Sequence, residues 1–306
     1  MIYTVTLNPA LDYDVFFNGF SDIALNLAEK VNYRAAGKGV NVSKMLSVLG
    51  EENTALGFVG GFTGGFIRSE LSRYEGVTCA FTETSGVTRI NVKLAANERG
   101  GEREITGVSP VVSEAELSAF FTEIAKIKQD DVVIMSGSVP AGVPRDIYKT
   151  IAKALPVWVK TALDVRGDMF LENVHANFFA KPNIAELSEI FGAELTTPQD
   201  ALVYAEKLVE IGIENVIVSM GGNGAVFTDG NERYFLKAPQ GEVVQTMGAG
   251  DSVTAGFIAG ILGGKTKADS FKLGVACGSA TAFSTDMGSL PLINELYEKI
   301  NTEVMR

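Results

Sequence analysis

The chain has 306 residues, with 37 acidic against 26 basic side chains and a formal charge of −11. It lacks the broad basic field through which proteins hold nucleic acid or an anionic membrane surface, so neither is an expected partner. The single histidine, His175, excludes a multi-histidine metal site and reads as a surface or packing residue. The two cysteines, Cys79 and Cys277, lie far apart without a CxxC spacing, as expected of small apolar side chains in a reducing compartment. No apolar run approaches the roughly 18 residues that cross a bilayer, and the opening residues lack the charged start of a signal peptide. A cytoplasmic protein is therefore expected, and its plausible metal chemistry is oxygen-ligated.

In chain order, short apolar runs alternate with segments of helical period. Residues 2–7, 54–59, 132–135, 157–163, 178–180 and 216–218 read as strands. Val42, Met45, Leu46 and Leu49, and the segments 117–127 and 201–211, carry i, i+3, i+4 spacing. The alternation predicts a largely parallel sheet covered by helices. Polar residues follow the strands, in Leu7-Asn8, Met135-Ser136-Gly137-Ser138, Leu163-Asp164, Lys181-Pro182-Asn183 and Val218-Ser219. Ligands of open α/β sheets bind outside the carboxyl ends of strands, so these residues mark the rim of the expected site.

Residues 12–20 and 88–108 break this rhythm: they look like strands with no helix directly after them. They predict a small separate sheet, or alternatively a hairpin packed on its own domain. A projecting sheet with an apolar face needs a cover, so a lid that also dimerises is the economical expectation. With no repeat, low-complexity tract or Pro-rich linker, residues 1–306 read as one domain. The lid would be inserted piecewise from about 12–36 and 86–108.

Five glycine-rich or polar motifs carry chemistry. Gly248-Ala249-Gly250-Asp251 opens an apolar-periodic stretch (Val253, Phe257, Ile258, Ile261, Leu262). Small residues let amides approach an anion, a helix start adds about half a positive charge, and Asp251 could take a proton there. An ordinary glycine turn with Asp251 as N-cap fits the same letters. Gly37-Lys38-Gly39-Val40-Asn41 repeats the logic before a helix over 42–49, with Lys38 for a phosphate and Asn41 for a sugar hydroxyl; it is not a Walker A loop. Gly60-Gly61-Phe62-Thr63-Gly64-Gly65 lacks the context of a dinucleotide fingerprint and reads as a flexible turn near the sugar pocket. Ser219-Met220-Gly221-Gly222-Asn223-Gly224 is either a structural turn or a backbone cradle for a nucleotide. Asp12, with Asp14 as a weaker candidate, follows the first strand, while Arg89, Asn91 and Lys93 share one face of a strand. For Lys93 a solvated face is the expectation.

Together, Gly37-Lys38-Gly39-Val40-Asn41, Ser136-Gly137-Ser138-Val139-Pro140, Lys181-Pro182-Asn183 with Glu186, Ser219-Met220-Gly221 and Gly248-Ala249-Gly250-Asp251 resemble the signatures of the PfkB family of ribokinase-like sugar kinases. The resemblance spans nearly the whole chain. Thr4-Val5-Thr6-Leu7-Asn8-Pro9 and Thr88-Arg89-Ile90-Asn91-Val92-Lys93-Leu94 are most similar to bacterial members acting on fructose 1-phosphate, with tagatose-6-phosphate kinases as near relatives. The resemblance implies a three-layer α/β/α domain with a mostly parallel central sheet and a small β-sheet lid, dimeric through the lids. It implies ATP and Mg2+ as cofactors, with a monovalent cation such as K+ as a further candidate.

Roles follow from the same resemblance. Asp251 would be the base, with Gly248 and the amides of Ala249 and Gly250 forming an anion hole. Asp12, Gly37, Lys38, Gly39, Asn41, Arg89 and Ser138 would contact sugar or phosphate. Asn183 and Glu186 would organise Mg2+ through water, and Lys181, Ser219, Gly221, Gly224, Gly248, Gly250 and Ser279 would line the nucleotide site. One departure stands out: relatives commonly show Ser-Gly after the strand ending at Asp164, where this chain has Val165-Arg166-Gly167. Arg166 would be a phosphate ligand or an exposed ion pair.

The expected reaction is transfer of the ATP γ-phosphate to the C6 hydroxyl of fructose 1-phosphate, with Asp251 taking the hydroxyl proton. A helix N-terminus would keep Asp251 ionised, making it a weak base whose proton transfer comes late. Other readings are a tagatose-6-phosphate or free-sugar kinase, a non-catalytic sugar-phosphate sensor, and a nicotinamide oxidoreductase.

Overall fold

A strand buried on both faces sits at the centre of a covered sheet, and the apolar run at 132–135 shows it: Val133 and Met135 pack into one helical layer, Val132 and Ile134 into the other. The computed structural model describes residues 1–19, 23–98 and 102–305. Its first half runs β1 (Ile2–Thr6), β2 (Ala10–Gly19), β3 (Lys30–Ala36), α1 (Lys38–Val48), β4 (Asn53–Val59), α2 (Gly61–Leu71), β5 (Val77–Cys79), β6 (Thr82–Glu83), β7 (Ile90–Glu98), β8 (Glu102–Ile105) and α3 (Glu114–Ile124). There follow β9 (Val132–Ser136), α4 (Ile147–Ala154), β10 (Lys160–Asp164), α5 (Asp168–Asn173), β11 (Phe179–Ala180), α6 (Ile184–Phe191) and α7 (Pro198–Glu210). The last part holds β12 (Asn215–Ser219), β13 (Ala225–Thr228), β14 (Arg233–Leu236), α8 (Ala249–Leu262), α9 (Lys267–Ala282), α10 (Leu290–Lys299) and β15 (Thr302–Val304).

The large sheet has the order β15-β14-β13-β12-β11-β10-β9-β1-β4-β5, with β6 beside β4. Every pair from β12 to β5 is parallel, and only the β12 to β15 edge is antiparallel. Helices α3 to α7 cover one face and α1, α8, α9 and α10 the other, which is the three-layer arrangement. The chain leaves β1 toward β4 on one side and continues through β9 and β10 on the other. The strand order thus reverses between β1 and β9, where a doubly wound sheet opens its ligand crevice.

The second sheet, β3-β2-β7-β8, pairs β2 and β7 in parallel and the rest antiparallel. Side chains alternate across it. Leu11, Tyr13, Val15, Val31, Tyr33, Ile90, Val92 and Ile105 lie on one face by register, and Asp12, Asp14, Arg34, Asn91 and Lys93 on the other. Of the apolar face, Val31, Tyr33, Ile90 and Ile105 stay exposed. Residues 20–22 and 99–101 of the expected lid lie outside the described residues.

Local readings need correction at three places. The helix expected over 42–49 begins already at Lys38, because Gly37 (φ 134°) turns the chain and caps it. The Gly60–Gly65 run is no flexible turn: it starts α2, fixed by bonds from the Gly60 amide to Thr88 Oγ1 (2.8 Å) and from Thr63 Oγ1 to the Thr88 carbonyl (2.7 Å). The strand expected over 157–163 begins at Lys160, since Pro156 opens a turn closed by the Val159 amide (3.0 Å) and leaves Val157 and Trp158 exposed. His175 is exposed and Cys277 buried, as expected, while Cys79 is half-buried.

The α8 and α9 helices meet through glycines, Gly256 and Gly260 on one and Gly274 and Gly278 on the other. A Cβ at Gly256 would lie 2.8 Å from Cys277 Sγ and 2.9 Å from Gly274 Cα. Helix propensity favours Gly→Ala by about 1 kcal/mol, but overpacking here costs about 1–3 kcal/mol. Gly256→Ala is therefore expected to lower the urea midpoint; an unchanged or raised midpoint would show that the helices separate without penalty.

Candidate active site

The carboxyl ends of β1, β9, β10, β11 and β12 lie side by side, and their polar residues form the rim anticipated from the sequence. Thr6 pairs with Ser136, and Ser136 with Asp164. Beyond the strands, Asn8 Nδ2 donates to Ser138 Oγ (3.1 Å), the Gly137 amide to the Asp164 carbonyl (3.0 Å), and Asn183 forms a parallel bridge with Ser219. Helices α1 and α8 begin over this rim. Gly39 lets α1 press onto β1 and β9: a Cβ there would lie 3.1 Å from both Ser136 Oγ and the Val5 carbonyl oxygen. Gly37 and Gly39 thus shape the backbone that presents Lys38.

Gly248 (φ 75°), not Asp251, caps α8, so Asp251 sits in its first turn. The Gly250 and Asp251 amides precede the first i→i−4 bond and point out of the helix start, whereas the Ala249 amide donates to Thr246 O at 3.3 Å. Asp251 is buried and accepts from Asn41 Nδ2 (2.8 Å), so the amide expected on a sugar hydroxyl holds this carboxylate instead. A Cβ at Gly250 would lie 3.1 Å from Lys181 Nζ, which places that buried lysine against the cradle.

Charge is concentrated behind the cradle. Lys38 Nζ donates to Asp164 Oδ1 at 2.5 Å and to Glu186 Oε1 at 3.3 Å, and Lys181 Nζ is 3.6 Å from Asp164 Oδ2. Burial would raise the Asp164 carboxyl, but Lys181 and Lys38 outweigh it and hold it below its ordinary range. Burial would likewise lower Lys38, and the carboxylates of Asp164, Glu186 and Asp251 raise it instead. Asp251 goes the other way. Burial, reinforced by the Asp164 charge, pushes it up to about 6 despite Lys38, the Asn41 bond and Lys181. Asp251 is thus a stronger proton acceptor than the ordinary carboxylate expected at a helix start, yet still ionised at neutral pH, because desolvation and the Asp164 charge raise it.

The polar face of the small sheet closes the other side. Asp12 is buried and accepts from Asn91 Nδ2 (2.9 Å) and Lys93 Nζ (2.5 Å), so Lys93 does not project into solvent. Arg34 grips Asp14 with two bonds (2.7 and 3.0 Å) and reaches Gln245 Oε1 (3.3 Å), ahead of the Gly248 turn. Arg89 donates one Nη2 bond to the Asn8 carbonyl (3.0 Å), while its buried Nε has no partner, nor has the buried Asn8 Oδ1. Burial lowers the Arg89 guanidinium against the pull of Asp12 and Glu104. An unsatisfied donor on a desolvated cation is a fit for an anion.

Beyond β11, Asn183 and Glu186 form a capping box on α6: the Glu186 amide donates to Asn183 Oδ1 (2.8 Å) and the Asn183 amide to Glu186 Oε2 (2.9 Å). Arg166, largely exposed, pairs with Glu186 Oε1 (3.2 Å), the ion-pair alternative of the sequence reading. Gly221 (φ 57°) and Gly224 (φ 100°) shape the turn after Ser219, with the Met220 amide donating to the Gly224 carbonyl (2.8 Å). Ser279 is half-buried on α9 beside Gly278, where a Cβ would lie 2.9 Å from the Ala249 carbonyl oxygen. Sequence reasoning assigned Asp164 no role, although its signal was present in an acidic residue at the end of a parallel strand.

Fold and site define a sugar kinase of the ribokinase-like kind. The chain belongs to the pfkB family of carbohydrate kinases, whose pattern matches residues 5–292. It is 42% identical over 302 residues to a 1-phosphofructokinase of Bacillus subtilis, covering 98% of each chain. It is 33% identical over 303 residues to a D-tagatose-1-phosphate kinase of Bacillus licheniformis, again covering 98% of each. Among solved structures it resembles phosphofructokinase-2 from Escherichia coli in complex with substrates and products, with a TM-score of 0.90 at 26% identity over 97% of this chain and 98% of that one.

The raised Asp251 group sets a pH dependence. A base with a pKa of about 6 is protonated below that pH, so kcat/KM should fall as pH drops through 6. Because the Asn41 bond favours the ionised form, Asn41→Leu should move this limb to higher pH. A limb that stays in place in the variant would detach Asn41 from the base.

Proposed function

We propose that the protein transfers the γ-phosphoryl group of ATP to the C6 hydroxyl of fructose 1-phosphate, giving fructose 1,6-bisphosphate and ADP. The observation that carries this reading is Asp251, buried in the first turn of α8, held by Asn41 and flanked by amides free to receive an anion. Asp251 lines up the hydroxyl and takes its proton as the oxygen attacks, and its raised pKa makes it a stronger base than an ordinary carboxylate. The Gly250 and Asp251 amides and Lys181 face the charge that develops on the transferred group. Arg89, with its free Nε, holds the acceptor's own phosphate, Lys38 stands beside Asp164 near the transferred group, and Asp12 and Ser138 meet sugar hydroxyls.

Cation need follows from the charge balance. The carboxylates of Asp164, Glu186 and Asp251 are matched by Lys38, Lys181 and Arg166, which leaves no surplus positive charge for a triphosphate. Among the described residues no three His, Cys, Asp or Glu side chains form a metal cage. This donor set fits Mg2+ held mainly by phosphate oxygens and water, with Asn183 and Glu186 in outer contact. Bound there, the ion would supply positive charge to offset that of the phosphates. K+ as a helper ion, and the cytoplasm as location, belong to the same proposal.

The small sheet acts as a lid within a single kinase domain. Its polar face carries Asp12, Arg34, Asn91 and Lys93, and its exposed apolar face, with Val31, Tyr33, Ile90 and Ile105, pairs with a second copy of the chain.

Asp251→Asn should keep acceptor binding and lose about 10²–10⁴-fold or more in kcat; near-normal turnover would remove Asp251 from the base role. Arg89→Ala should raise the acceptor KM by about 10–100-fold, the range of a charged hydrogen bond, and spare the KM for ATP. Comparing kcat/KM for fructose 1-phosphate, tagatose 1-phosphate, tagatose 6-phosphate, fructose 6-phosphate and fructose tests the acceptor, with fructose 1-phosphate expected to lead. The tagatose 1-phosphate arm answers to the D-tagatose-1-phosphate kinase likeness.

A further inference from the structure

A fully buried lysine sits where the lid joins the body. Lys44 lies on α1, six residues after Lys38 and three after Asn41, with a side chain only 2% exposed. Its ammonium donates to the Ala35 carbonyl (2.9 Å) and pairs with Glu70 on α2, over the ring of Tyr74 at 5.7 Å. The other oxygen of Glu70 accepts from the Ala35 amide at 2.6 Å. Two side chains from two helices thus occupy both backbone groups of one residue.

That residue is a special one. Strand β3 is an edge strand bonded only to β2, so its outer amides and carbonyls have no strand to pair with. At Ala35, Glu70 and Lys44 stand in for the missing strand. Two residues on, Gly37 turns the chain into α1, which carries Lys38 toward Asp164 and Asn41 toward Asp251. Ala35 is therefore the joint between the lid and the helix that orients the base.

We infer that Lys44 and Glu70 are positioning residues that clamp this joint and set the lid relative to Lys38 and Asn41, so that acceptor binding is communicated to Asp251. Neither residue reaches the rim where substrates bind; each acts through the Ala35 backbone and α1. The inference rests on the kinase reading for its kinetic consequence, but the clamp itself is observable without substrate.

The test uses the full chain with Lys44→Met, Lys44→Arg and Glu70→Gln, read by steady-state kinetics, thermal melting and hydrogen exchange over residues 30–41. Lys44→Met should raise the KM for fructose 1-phosphate by about tenfold, the scale of a small misplacement of binding groups, while sparing the KM for ATP. It should also speed exchange at the Ala35 amide. Lys44→Arg should restore both. Where Lys44→Met fails to fold, Glu70→Gln, which keeps the shape and removes the charge, carries the same kinetic expectation. A loss of thermal stability with both KM values and Ala35 exchange unchanged would overturn the clamp and leave a structural ion pair. Wild type inactive on every ketose phosphate would overturn the kinase reading instead, and the exchange experiment would still decide the clamp.

Discussion

Burial of like charges is the constraint on which the rest of the structure turns. Asp164, Glu186 and Asp251 share one desolvated edge of the sheet, an arrangement that stands only because Lys38 and Lys181 lie between them. The network is asymmetric in its effect. Asp164, gripped by both lysines, is held below its ordinary range, and its charge helps to lift Asp251 above its own. A residue without a proposed chemical step thereby tunes the proposed base.

Holding that network in place requires close backbone approach from two helices. Gly37 and Gly39 let α1 lie on β1 and β9, and Gly274 and Gly278 let α9 support the start of α8. Helices α1 and α8 point their first turns at the same rim, so their amides and dipoles add to the charge provided by the lysines.

The two-residue alternation of its strands gives the small sheet one polar and one apolar face. Asp12, Asp14 and Arg34 lie on the side of the site, and the residues between them present the apolar side. A register shift of one residue would exchange the two faces, so the placement of Asp12, Asp14 and Arg34 depends on how β2, β3 and β7 pair. The Arg34 contact to Gln245 connects this sheet to the segment leading into α8, and the Lys44–Glu70 pair at Ala35 connects it to α1 and α2.

Much was legible from the residues alone. The alternation of short apolar runs with helical periods, and the polar residues that follow the runs, specify a parallel sheet with a site at its carboxyl edge, because period and strand ends are local properties of the chain. The glycine runs before Asp251 and Lys38 were readable for the same reason. What tertiary structure alone decided is the state and company of each charge. Whether Asp251 is a weak or a strong carboxylate depends on desolvation and on Asp164, which is distant in sequence. Whether Lys93 meets water or Asp12, and whether Gly60 begins a loop or a helix, depends likewise on partners supplied by other elements. Backbone form follows from neighbours along the chain, while electrostatic character follows from neighbours in space.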